Sequence, residues 1–315
     1  MNKITVIGAG NVGSTIAFTI ATKGVAQKVV MIDIAEQKVL GEALDIRQGL
    51  PFCPTGTKLF AGGYDDAKGS DIVIITSGVA RKPGQTRLEL AQTNVNIIKS
   101  ITPKIVSVAP NAVYLIVSNP VDILTYVFTK ISGIPEHRII GSGTLLDTAR
   151  LRVRLSDYYR TDPHYIEAYV LGEHGDSSFV PWSLLKLSTK GKLDYEAAKE
   201  KFGNLLPELD IEEVEKYMKT SGARVIGRKS ATFHAVSLSV CYICEAILKN
   251  TNEVLNVSTM MHGEHGVDDV CLSYFTIVNC DGASTKVPVK LTPEEEEKLQ
   301  YSANCLKKIL ADIKL

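Results

Sequence analysis

The stretch ITVIGAGNVGS, residues 4–14, carries the reading on which the rest depends. Ile4 to Ile7 form a short apolar run, and Gly8, Gly10 and Gly13 follow in the spacing G-x-G-x-x-G. From Asn11 the apolar residues recur at helical spacing until Gly24 stops the pattern. A strand that turns through glycines into a helix suits a phosphate. Gly8 permits the tight turn, Gly10 lets the backbone amides approach, and Gly13 lets the helix lie against the strand. The helix N-terminus adds partial positive charge at the same spot. KVVMIDI (28–34) reads as a second buried strand, and Asp33 closes it about twenty residues after Gly13, as the dinucleotide pattern requires. Its carboxylate would accept hydrogen bonds from both ribose hydroxyls and would repel a 2′-phosphate. No base follows it closely, only Ile34, Ala35 and Glu36. The unit predicts NAD rather than NADP, held by Gly8, Gly10, Asn11, Val12, Gly13 and Asp33.

Outward from this unit the alternation continues. LFAGG (59–63), DIVIITSG (71–78) and AVYLIVSN (112–119) are further apolar runs, with a helical stretch at 88–108 between the last two. Continuous apolar strands separated by helices imply a parallel sheet covered on both faces. The fold class is α/β: an N-terminal Rossmann-type doubly wound parallel sheet over residues 1–142, then a mixed α/β catalytic domain over 143–315. The two halves are expected to share one body with a cleft between them. In the second half IEAYVLGEHG (166–175) reads as a strand entering a loop, and residues 222–249 as one long buried helix. VCLSYFTIVN with VPVKL suits an antiparallel hairpin, and residues 293–315 a charged terminal helix with an acidic start.

The chain has 315 residues, 45% of them hydrophobic, and Lys+Arg and Asp+Glu both number 35. Zero formal charge argues against a nucleic-acid or polybasic membrane-surface protein. No stretch approaches the roughly 18 apolar residues of a membrane span, and no cleavable leader is evident near the start, so a cytoplasmic protein is expected. Six cysteines scattered over this length fit reduced thiols rather than a disulfide framework. Cys241 and Cys244 form a CxxC inside an apolar helix and read as core. His262 and His265 have HxxH spacing without an evident third ligand, so no metal is expected.

Reducing a carbonyl by hydride transfer needs a proton donor near neutral pH, for which histidine is suited. Two histidines share the tetrapeptide GEHG, at 172–175 and 263–266. Only His174 follows a strand pattern and precedes a polar loop. The surrounding motifs extend the case: GAGNVGS, RKPGQTRLEL (81–90), VSNPVDILTY (117–126), GSGTLLDTARLR (141–152) and LGEHGDSSFVPWS (171–183). In order and spacing the chain resembles the NAD-dependent L-lactate/malate dehydrogenase family from end to end.

The resemblance implies His174 as proton donor and acceptor, paired with Asp147. It implies Arg150 as the two-pronged grip on the substrate carboxylate, a task for a planar guanidinium. Arg87, in the lid loop, would polarise the substrate carbonyl when the loop closes. Asn119 would bond substrate and nicotinamide side, and Thr232 would narrow the far side of the pocket. Two substrates stay open. Arg81 occupies the lid position where malate enzymes carry an arginine for a second carboxylate, whereas GSGTLLDTARLR, GEHGDSSFVPWS and Thr232 look like the lactate branch, which is named first. Family members are homotetramers or dimers. Some bind fructose 1,6-bisphosphate through an arginine, matched by Arg152, and a histidine. Glu167 stands in the histidine position and should repel the sugar phosphate. A non-catalytic nucleotide-binding scaffold is the rival in another class, opposed by the intact Asp147, Arg150, His174 and Arg87. The second GEHG reads as a structural turn.

Overall fold

The computed structural model describes residues 2–80, 84, 86–188, 192–194 and 208–314. Six strands form the parallel part of the main sheet: β1 (Lys3–Ile7), β2 (Lys28–Ile32), β3 (Lys58–Ala61), β4 (Ile72–Ile75), β5 (Val113–Ile116) and β6 (Ile139–Gly141). Their order is β6-β5-β4-β1-β2-β3 and every pairing among them is parallel. The helices between them are α1 (Asn11–Lys23), α2 (Glu36–Gly49), α3 (Arg87–Val108) and α4 (Val121–Ser132). The strands carry apolar residues on both faces because both faces are covered. On β4, Ile72 and Ile74 enter one core while Val73 and Ile75 enter the other; on β5, Val113 and Leu115 part from Tyr114 and Ile116 in the same way. This is the doubly wound sheet read from the sequence. The order reverses between β1 and β4, and a crevice opens there at the strands' carboxyl ends.

The second half begins with α5 (Leu145–Tyr159) and a small antiparallel sheet of β7 (Ile166–Glu167), β8 (Lys186–Ser188) and β9 (Lys192–Asp194). Then come α6 (Ile211–Lys229), α7 (His234–Lys249), β10 (Glu253–Glu264), β11 (Val267–Asn279), β12 (Gly282–Lys286) and α8 (Pro293–Asp312). A third core gathers Leu151 and Leu155 of α5, Ile166, and Val214 and Met218 of α6.

Two expectations need correction. Residues 222–249 form two helices, not one: α6 ends at Ser230, whose left-handed φ of 68° closes the helix by donating its N–H to Ile226 O. VPVKL is not a strand. β11 pairs instead with β10 on one side and β12 on the other. The β10–β11 hairpin extends the sheet of the first half, because β10 pairs antiparallel with β6 through Ser258 and Gly141. Among the described residues the main sheet therefore has nine strands, and it crosses the junction of the halves. Cys241 and Cys244 are buried in α7, as expected. Among the described residues no helix is long and apolar enough to cross a membrane.

Candidate active site

The glycine turn behaves as its spacing demands. Gly8 has a φ of +104°, and a Cβ there would lie 2.6 Å from Thr76 Oγ1. A Cβ on Gly13 would lie 1.8 Å from Gly8 O, so only glycine lets α1 approach β1 this closely. Gly10 differs: a Cβ there would meet no protein atom within 4 Å. It is the N-cap of α1, with no side-chain cap, and it lines a cleft of about 840 Å³. Uncapped helix amides beside an open glycine fit a phosphate. Asp33, just beyond β2, lines the same cleft. Its Oδ2 accepts from Ala9 N–H at 2.5 Å and its Oδ1 from Ala35 N–H at 2.8 Å. These bonds fix the carboxylate, and each oxygen retains acceptor capacity for a ribose hydroxyl. Of the residues expected to hold a dinucleotide, Gly8, Gly10 and Asp33 line the cleft, while Asn11, Val12 and Gly13 begin the helix that opens beside it. The lining runs from Ile7 to Lys104, so this cleft belongs to the N-terminal half.

A second group of side chains gathers at the junction. Asp147 and Arg150, one turn apart on α5, are bonded through Oδ1 and Nη1 at 2.8 Å. Asp147 Oδ2 meets His174 Nδ1 at 2.5 Å. The Asp147 side chain is 9% accessible, and the His174 ring keeps 26%, so it is held on one side and open on the other. Burial favours a neutral carboxyl at Asp147, but the His174 and Arg150 charges and hydrogen bonds outweigh it and hold the group below the usual carboxylate range. Burial also works against a charged His174. The Asp147 charge and hydrogen bond, with a smaller contribution from Asp122, overcome it and hold the imidazole above the ordinary histidine range. With Nδ1 engaged by a carboxylate, Nε2 is the position left for substrate.

Arg150 Nη1 is fixed by Asp147, and its Nη2 stands beside Gly222 of α6, where a Cβ would lie 3.5 Å away. Thr232 sits half-buried in the link between α6 and α7, which pack on α5. Arg87 opens α3, whose N-terminus is closed by a capping box between Thr86 and Glu89. Arg81 lies outside the described residues.

The two sites are joined by a residue that sequence reasoning missed. Buried Asn94 on α3 accepts from Val79 N–H at 2.8 Å, in the wall of the cleft, and donates to Asn119 O at 2.7 Å. Asn119 is exposed at the end of β5. One turn further on, Asp122 of α4 accepts from His174 N–H at 2.7 Å. Asp122 and Asn94 are polar residues within apolar stretches, VDILTYVF and NVNII, and that mismatch was the available signal. The second GEHG forms the β10–β11 turn. There His262 pairs with Glu136, and His265 bridges Glu296 and Tyr274, so both rings have structural partners.

Comparison with known proteins agrees with this geometry. Residues 2–141 match the family described as lactate/malate dehydrogenase, NAD binding domain, and residues 144–314 its alpha/beta C-terminal domain. The chain is 44% identical over 313 residues to L-lactate dehydrogenase 1 of Clostridium acetobutylicum, covering 99% of this chain and 98% of that protein. It is 42% identical to an L-lactate dehydrogenase of a Thermoanaerobacter species, covering 99% of each. The ligand-bound crystal structure of minor L-lactate dehydrogenase from Enterococcus mundtii superposes with a TM-score of 0.95 at 34% identity, covering 100% of this chain and 99% of that one. Fold and site define a dinucleotide-dependent oxidoreductase. The chain belongs to the lactate/malate dehydrogenase family, and its cofactor is NAD.

Proposed function

We propose that the chain is an NAD-dependent L-lactate dehydrogenase, interconverting pyruvate and L-lactate. The observation that carries this reading is the His174–Asp147–Arg150 group, a protonatable imidazole bonded to the same carboxylate that aims an arginine. NADH, when bound at the glycine turn, supplies the hydride that reduces C2 of the 2-oxo acid. His174 gives its Nε2 proton to the carbonyl oxygen in that direction and takes it back when lactate is oxidised. Asp147 fixes the tautomer and stabilises the imidazolium between the two events. Arg150 grips the substrate carboxylate with a guanidinium whose direction Asp147 sets. Arg87 polarises the carbonyl, Asn119 bonds the substrate and nicotinamide side, and Thr232 limits the pocket. The relatives reported above are named for lactate over their full length, and the malate reading is not favoured. Measuring kcat/KM for pyruvate and oxaloacetate side by side tests the assignment: pyruvate should win, and oxaloacetate winning would refute it. Residues 1–142 would carry the cofactor and 143–315 the catalytic group. Assembly as a homotetramer or dimer is part of the same proposal, supported by Phe18, Leu40, Leu44 and Leu238, which are exposed on α1, α2 and α7. Action in the cytoplasm on a small 2-oxo or 2-hydroxy acid completes it.

A further inference from the structure

We propose that Asp122 and Ser302 are positioning residues for His174, clamping its loop from two sides, and that Asp122 also supplies a second negative charge behind the imidazolium. The inference rests on the assignment of His174 as the proton donor.

The loop that carries His174 has two consecutive amides facing inward, and each is taken by a side chain from a different helix. Ser302 Oγ on α8 accepts from Glu173 N–H at 2.8 Å, and Asp122 on α4 accepts from His174 N–H at 2.7 Å. Just before them, Gly172 exchanges two backbone bonds with Ser273 of β11, at 3.0 and 2.9 Å. A Cβ on Gly172 would lie 2.6 Å from Ser302 Oγ, so the glycine is what lets α8 come this close. Ser177, past the histidine, is bonded to Ser302 at 3.0 Å and also to Glu173. Ser302 therefore holds the Glu173 amide before His174 and the Ser177 side chain after it, while Asp122 ties the His174 amide itself.

Asp122 does more than an amide acceptor requires. A serine or asparagine would serve the bond, yet a carboxylate stands here almost wholly buried. Its Oδ1 makes no well-formed hydrogen bond among the described residues, and the one side chain that acts on the carboxylate as a donor is the equally buried Ser258 hydroxyl. An ionised carboxylate in that setting is costly unless a positive charge compensates it. Burial pushes its pKa up to about 6, against smaller downward pulls from Ser258, the His174 N–H and the His174 charge. Its place in the first turn of α4 adds the helix dipole on the favourable side. The titratable groups around the pair are few. Glu173 and His174 face Asp122 from the loop, Cys271 faces it from β11 with a thiol that burial keeps neutral, and Asp147 and Arg150 of α5 face His174. The imidazolium is the compensating charge. Asp122 and Asp147 thus flank it, one through the backbone side of the loop and one through the ring. Asn119 and Asp122 lie one turn apart at the start of α4, so a single helix end sets both the substrate-facing amide and the height of the proton donor.

The test separates charge from bonding. Asp122→Asn keeps an oxygen for the His174 N–H and removes the charge; Asp122→Ala removes both; Ser302→Ala removes the other anchor without touching charge. We expect Asp122→Asn to move the alkaline limb of pyruvate kcat/KM down by about half to one pH unit, with melting temperature and NADH affinity preserved. Asp122→Ala should show that shift plus a further loss in kcat of about tenfold, the scale of one buried hydrogen bond. Ser302→Ala should lower kcat without moving the limb. An Asp122→Asn profile that superimposes on the wild type, or a Ser302→Ala variant that shifts the limb equally, overturns the inference while leaving the dehydrogenase assignment in place. A wild-type protein that binds NADH but does not reduce pyruvate overturns both.

Discussion

Replacing Asp147 with asparagine probes the proton donor directly. Asp147 serves two partners at once, His174 through Oδ2 and Arg150 through Oδ1. Asparagine has one oxygen, so it can accept from one of them and must turn its NH2 toward the other. The larger effect is the lost charge. Two unit charges about 4 Å apart attract by about 4 kcal/mol at an effective dielectric near 20. A quarter of the His174 side chain is open to water (26%), which screens the pair. Halving the figure gives about 2 kcal/mol, equivalent to about 1.5 pH units. Pyruvate reduction needs a protonated His174, so its rate falls as pH rises through the histidine pKa. Removing Asp147 lowers that pKa and brings the fall to lower pH. In steady-state assays with saturating NADH, the alkaline limb of kcat/KM should move down by about 1.5 units, with a deficit of about 30-fold on the limb. Lactate oxidation needs the neutral ring and should lose less at the same pH. A loss that is equal at every pH, or one heavier for lactate oxidation than for pyruvate reduction, would refute the reasoning.

The remaining expectations concern the cofactor turn and regulation. Gly13→Ala places a Cβ 1.8 Å from Gly8 O and should destabilise the fold by about 2 kcal/mol or more, read as a lower melting temperature. Gly10→Ala meets no protein atom within 4 Å, so its melting temperature should hold while NADH affinity, measured by fluorescence titration, weakens by about tenfold; equal effects of the two would contradict a ligand role for Gly10. Arg152 is already engaged: its Nε donates to Ala168 O at 3.0 Å, and its guanidinium lies 5.2 Å from the Tyr169 ring, on the segment that begins with Glu167. Millimolar fructose 1,6-bisphosphate should change the pyruvate half-saturation by less than about twofold, and a sharp lowering would show that Glu167 does not exclude the sugar phosphate.

How far the sequence could be read follows from what each element is buried against. β2, β4 and β5 are apolar on both faces because both faces are covered, and an unbroken apolar run announces such a strand. β10 is equally buried but disguised. Asn256, Ser258 and Thr259 lie in its middle with almost no exposure. Asn256 is there because its Nδ2 donates to Thr148 Oγ1 at 2.7 Å and to Thr144 Oγ1 and Val170 O at 3.0 Å, tying α5 to the chain that leads into the His174 loop. A polar residue kept for a tertiary bond erases the periodicity that would identify its strand. The α6–α7 break was hidden for a related reason: Ser230 takes a left-handed conformation usually signalled by glycine. At the site, His174 was legible from the strand pattern before it and the polar loop after it, and Asp147 and Arg150 through the family resemblance, which places both on one helical face. Asp122, Asn94 and Ser302 were not assigned roles, since each acts on a backbone group far away in sequence. Residues whose partners are side chains one turn away can be found by spacing. Those that hold a distant N–H or C=O leave only one trace, a polar group among apolar neighbours. That trace says the group is satisfied somewhere, and only the fold says where.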